Sequence, residues 1–239
     1  MQNTLTIARR QFLSYFNGPV AYIVGALFLL FAGMAIWVFP FPIFIQGRAT
    51  VRELFSALGL LTVFVAPALT MGLIAEERRT GTLELLMTMP VKDSEVIVGK
   101  FLAALGLYSA FVLLTIVQPL SVSTLGNLDW GPVIAGYFGM LLYGAAMLSI
   151  GMFFSAVTES QLLALFVAMI VCLALWAVDW LGILLPGWGA SLVELLSLDF
   201  HLKNIERGII DSRDLIYFAT IIIVALGLAF RALESRRWR

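Results

Sequence analysis

Six apolar runs, five long enough to cross a hydrocarbon layer and the last short but extendable to Arg231, constrain this chain more than anything else in it. They lie near Val20–Phe39, Leu54–Ala75, Val96–Leu120, Val133–Phe154, Leu162–Leu185 and Leu215–Phe230. About twenty residues at ~1.5 Å each cover a hydrocarbon core of about 30 Å. Inside such a layer every backbone N–H and C=O must be satisfied within the protein, which leaves helices or a closed barrel. Continuous runs without alternation predict helices. Composition agrees: 61% of residues are hydrophobic and 13% charged, against roughly 45–50% and about 25% in soluble domains. Too little polar surface remains to coat a water-soluble fold. The expected fold class is an all-α integral membrane protein with six transmembrane helices, a single domain over residues 1–239.

The segments between the runs carry the polar residues. In residues 1–19, Leu5, Ala8, Phe12, Tyr15 and Phe16 recur at helical spacing while Arg9, Arg10, Gln11 and Ser14 fall elsewhere. This predicts an N-terminal interfacial helix ended by Asn17-Gly18-Pro19, and no small-residue cleavage site of a signal peptide follows. Pro67 should kink the second run, and Asp93 or Ser94 should cap the third. Residues 187–212 are too polar to span. Leu195, Leu198, Leu202, Ile205 and Ile209 keep a three-or-four spacing there, which predicts short outer helices resting on the interface. With the N-terminus inside, the inner segments hold Arg9, Arg10, Arg78, Arg79, Lys92, Lys100, Arg231, Arg236, Arg237 and Arg239. The outer ones hold Arg48, Arg52, Lys203, Arg207 and Arg213. The excess on the first side places both termini in the cytosol.

Little within the spans can do chemistry. Asp179 sits near the outer end of the fifth span, where an interfacial role is expected, and Gln118 can hydrogen-bond a neighbouring helix. His201, beside Asp199 and Lys203, reads as a solvated surface residue, and a single His cannot build a zinc site. No nucleophile elbow, HExxH or phosphate-binding loop is present, and glycines spread singly through the helices suit close packing. A formal net charge of zero argues against nucleic acid as a partner, and the one cysteine, Cys172, excludes a disulfide within one chain. No catalytic, cofactor-binding or metal site is expected, so any energy source must come from elsewhere.

The exception to this apolar character is the stretch Glu76–Lys100. It holds Glu76, Glu77, Arg78, Arg79, Glu84, Lys92, Asp93, Glu95 and Lys100 between two spans. Its middle, Thr82–Pro90, reads as a short helix. Thr80 or Thr82 can serve as N-cap, Glu84 lies in the first turn where the dipole favours a carboxylate, and Pro90 closes it. Leu83, Leu86 and Met87 share one face, with Glu84 and Thr88 on the other. Such a helix can lie on lipid headgroups, or it can dock its apolar knob in a partner's groove with the charges fixing register.

The run Glu76-Glu77-Arg78-Arg79-Thr80-Gly81-Thr82-Leu83-Glu84-Leu85-Leu86, followed by Met89-Pro90-Val91, resembles the signature of type-2 ABC exporter permeases. The likeness extends along nearly the whole chain. The stretches Leu198-Asp199-Phe200-His201 and Asn204–Asp211 look most like the gliding-motility type of that family. The resemblance implies a permease subunit of the inner (cytoplasmic) membrane, paired with a second copy or paralogue and surrounded by membrane lipid. Two copies of a separate cytosolic ATPase subunit would hold the ATP and Mg, with no cofactor in this chain. The loop 76–95 would then carry a cytosolic coupling helix, with Glu76, Glu77, Arg78, Arg79, Gly81, Thr82, Leu83, Glu84, Leu86, Met87 and Pro90 facing the ATPase. Two alternatives remain: a non-transporting anchor that recruits a soluble protein through the same loop, and a self-sufficient channel or carrier, which the scarcity of charge in the spans disfavours.

Overall fold

The computed structural model describes residues 2–38, 50–82, 92–182 and 196–235. In chain order the helices are α1 (Gln2–Tyr15), α2 (Val20–Trp37), α3 (Arg52–Thr70), α4 (Ala75–Arg79), α5 (Asp93–Leu114), α6 (Val117–Ser123), α7 (Trp130–Val157), α8 (Gln161–Gly182), α9 (Leu198–Glu206) and α10 (Ser212–Glu234). No strand occurs among the described residues. Six segments are long and apolar enough to span: Val20–Trp37, Arg52–Arg79, Asp93–Ser123, Trp130–Val157, Gln161–Asp179 and Ser212–Glu234. Their positions match the six runs of the sequence.

The exterior is the apolar side. Tyr22, Ile23, Leu27, Leu30, Ile134, Phe166, Ile170, Ile223 and Val224 all stand exposed on the spans. A soluble monomer does not present so continuous an apolar coat, so lipid must cover it. The protein is a multi-pass membrane protein.

Side-chain contacts fix the direction of each span. Phe28 of α2 packs on Tyr108 and Phe111 of α5, and Trp37 donates its indole N–H to Gln118 at 2.7 Å. The expected helix-to-helix role of Gln118 is met, and α2 and α5 run parallel. Gly136 and Gly151 of α7 lie against Phe55 and Thr70 of α3, so α3 and α7 run parallel to each other. The turn 71–74 touches Lys100 near the start of α5, which makes α3 antiparallel to α5. We call the end bearing Thr82 and Lys92 the loop face and the opposite end the far face.

The fourth span, α7, is the hub, packed by α3, α5, α8, α9 and α10. Glycines open its surface: a Cβ at Gly136, Gly139 or Gly144 would run into Phe55, Ile205 or Tyr108 respectively. Removing side chains here lets helix axes approach closely, the use the sequence suggested for them. Polar atoms at mid-depth pair with each other, as in Thr62 with the Tyr108 hydroxyl at 2.8 Å.

Helices α1 and α5 refine the sequence reading. Helix α1 lies along the first half of α5. Asn3 donates to Glu95 at 3.3 Å, Thr4 and Ile7 pack on Gly99, Phe12 on Gly106, and the Tyr15 hydroxyl donates to the Leu69 carbonyl at 2.8 Å. The cap of α5 is Lys92 rather than Asp93 or Ser94. The Glu95 carboxylate accepts from the Lys92 backbone N–H at 3.2 Å, as a residue three positions into a helix can.

Candidate functional site

The second span does not stop at Pro67. Pro67 is buried inside α3, and the helix runs on to Thr70 before breaking over Met71–Ile74. A break leaves backbone donors and acceptors without intrahelical partners, which is costly inside a membrane protein. Two neighbouring spans supply the partners. Ser155, near the end of α7, accepts from the N–H groups of Ile74 and Ala75 at 3.1 and 3.2 Å and donates to the Met71 carbonyl at 3.0 Å. Lys100, buried on α5, donates to the Leu73 carbonyl. The break is therefore an elbow built from three spans.

Helix α4 leaves that elbow carrying Glu76, Glu77, Arg78 and Arg79, and the first three reach side chains or backbone of other elements. Glu77 forms an ion pair with Lys100. Glu76 accepts two hydrogen bonds from Arg79, at 2.6 and 3.1 Å, and a third from the Gln161 side chain at the start of α8. Arg78 donates to the Thr158 carbonyl in the α7–α8 turn at 3.5 Å. An exposed Glu–Arg pair alone contributes little. Glu77 with buried Lys100 is different, because removing one partner would strand a charge in a dry site.

Past α4, Gly81 takes φ +70°, a left-handed conformation that L side chains rarely adopt, and its N–H bonds to the Arg78 carbonyl at 3.2 Å. The hydroxyls of Thr80 and Thr82 turn back to the carbonyls of Glu76 and Glu77, at 2.9 and 3.3 Å, and close this helix end. Of the sequence-predicted site residues, Glu76, Glu77, Arg78, Arg79, Gly81 and Thr82 thus form one connected unit. Leu83, Glu84, Leu86, Met87 and Pro90 lie outside the described residues. Sequence reasoning missed Ser155, Thr158 and Gln161 as partners of this loop. The signal was present: a small polar cluster in the turn between two spans.

At the far face the structure corrects two expectations. Helix α9 does not rest on the surface. Leu198, Leu202 and Ile205 are fully buried, with Leu202 packed on Gly59 of α3 and both Leu202 and Ile205 packed on Gly139 of α7. Leu198, Leu202 and Ile205 of the predicted stripe thus face the bundle instead of the interface, whereas Ile209 is exposed and Leu195 lies outside the described residues. The charged residues of α9 enter with the stripe. His201 is not a solvated residue: its Nδ1 lies 2.6 Å from Asp214 of α10, and its ring stacks on Tyr217 with centroids 4.0 Å apart. Lys203 bridges Asp199 and Asp179, each at 2.7 Å. Asp179 therefore ties α8 to α9.

Burial, rather than solvent, sets the acidities on α9. It raises Asp199 above the ordinary carboxylate value and pushes Glu206 up to about 8, with the charge of Asp199 adding to the effect. Burial alone would lower Lys203, but its hydrogen bonds to Asp179 and Asp199 outweigh that and hold it above the usual lysine value. Among the described residues no group of His, Cys, Asp or Glu is arranged to hold a metal ion.

Fold and site together define a multi-span helical membrane protein with one charged loop joined at its root to three spans. A family model of the ABC-2 family transporter proteins matches residues 38–193. The chain belongs to the ABC-2 family of transporter proteins, as a membrane-spanning permease component. No curated protein matches its sequence.

Proposed function

We propose that this chain is the permease subunit of an ATP-driven exporter, with the loop 76–95 as the contact through which a separate ATPase acts on the spans. One observation supports the reading most strongly. The root of the loop is bonded to α5 through Lys100, to α7 through Ser155 and to the α7–α8 turn through Thr158 and Gln161. A loop that merely touched headgroups would not need such wiring, whereas a force-bearing one would. Segment 83–90 would seat in a groove of the ATPase, which would bind ATP and Mg in two copies. The ATPase would bind the permease states with different affinity, so nucleotide state would bias their populations. A second permease copy or paralogue would complete the pathway. The loop face, with both termini, would be cytosolic and the membrane the inner one. The stretches Leu198–His201 and Asn204–Asp211 favour the gliding-motility type within the family.

The test is association. Leu86→Asp should abolish co-purification of an ATPase from native host membranes while the chain still inserts. Undiminished co-purification would overturn the assignment of this loop. A co-purified ATPase whose turnover ignores the loop variants would instead favour an anchor subunit.

A further inference from the structure

Two adjoining hollows open at the far face, and they meet at Arg207, Asp129 and Pro132. The first, about 140 Å³, lies between the start of α3, the start of α7 and the end of α9, with Arg52 and Arg207 in its wall. The second, about 680 Å³, runs along the outer face of α7 over Ile134, Phe138 and Ile210. Gly208 makes this arrangement possible. Its φ of +84° stops α9 and turns the chain against Pro132, which leaves Arg207 in the first hollow and Ile210 beside the second.

Two guanidinium groups line the small hollow. Neither Arg52 nor Arg207 has an ion-pair partner among the described residues. Two carboxylates face them. Asp129 commits Oδ1 to the Gly131 N–H at 3.0 Å as the cap of α7. Glu206 is 7% exposed, and burial pushes its pKa up to about 8. Two guanidinium groups without ion-pair partners among the described residues thus share the hollow with one carboxyl engaged in a helix cap and one buried carboxyl. The larger hollow is apolar and opens outward: Ile134, Phe138 and Ile210 are 68%, 42% and 54% exposed on the side that lipid covers. The first residues of two spans flank the cationic end, which sets it at headgroup depth.

We propose that this cleft binds a phospholipid of the far-face leaflet, with its phosphate between Arg52 and Arg207 and one acyl chain along Ile134, Phe138 and Ile210. Guanidinium groups bind phosphate oxygens in paired, charge-assisted hydrogen bonds. The trough supplies the apolar area that separates a lipid from a free phosphate ion. The site depends only on membrane insertion and stands whether or not an ATPase acts on the loop.

Native mass spectrometry of the full chain in mild detergent, titrated with dioleoylphosphatidylglycerol, tests it. One lipid should be retained per chain. Arg52→Gln with Arg207→Gln should weaken retention at least about tenfold. Arg213→Gln, a far-face arginine outside the cleft, should leave it unchanged. Phe138→Gln should also weaken retention with both arginines intact, and it decides the matter if the double variant aggregates. Glycerol 3-phosphate should not displace the lipid at matched concentration. Equal retention by the cleft variants, equal loss in Arg213→Gln, or displacement by glycerol phosphate would overturn the proposal.

Discussion

Ser155 shows how much one side chain can carry. Its hydroxyl serves two backbone donors and one backbone acceptor at the elbow of the second span. Ser155→Ala would leave those groups buried without a replacement, at a cost of about 1–3 kcal/mol. Thermal melting in detergent should show a fall of several degrees, and an unchanged midpoint would mean the elbow is held by other contacts. Lys100 was legible as a charge at the edge of a span, but its destination was not. Nothing in the local sequence says that a lysine on the third span will meet a carbonyl exposed by a break in the second. The position of that break, four residues beyond Pro67, was equally hidden, because tertiary partners from other spans determine where a helix can afford to open.

Among the elements, α9 departs furthest from its sequence reading. Period and amphipathicity were plain, yet they do not say whether an apolar stripe faces lipid or protein. The distinction came from Gly59 and Gly139, which clear space for Leu202 and Ile205 on two other helices. His201 and Asp214, thirteen residues apart, meet only because α9 is drawn inward. Burial of this helix has a pH consequence. Glu206 keeps its proton up to about pH 8 when folded and loses it near 4.5 when unfolded, so the unfolded chain binds fewer protons between those values. Stability should therefore fall as pH rises from about 4.5 to about 8. Glu206→Gln should remove this contribution and melt several degrees above the wild type at pH 9, with the difference shrinking below pH 5. A constant offset across that range would show that the acidity of Glu206 is not perturbed.

At the scale of the whole molecule, the six spans and the all-helical class were readable because lipid imposes one rule on every crossing residue. The family likeness was carried by Glu76–Leu86, and the match over residues 38–193 agrees with it. What the sequence did not reveal was the wiring: contacts between residues about eighty positions apart, such as Ile74 with Ser155 and Glu76 with Gln161. Those contacts define the central claim, that displacement of the loop is transmitted to the spans through the elbow. The most direct measurement places spin labels at Leu125 and Arg213, both exposed at the far face, in chain assembled with the ATPase proposed as its partner. The distance between them should shift when a non-hydrolysable ATP analogue is added. In Glu77→Gln, which loosens the tie to Lys100, ATPase association should persist while the shift shrinks. An undiminished shift in that variant would contradict the account.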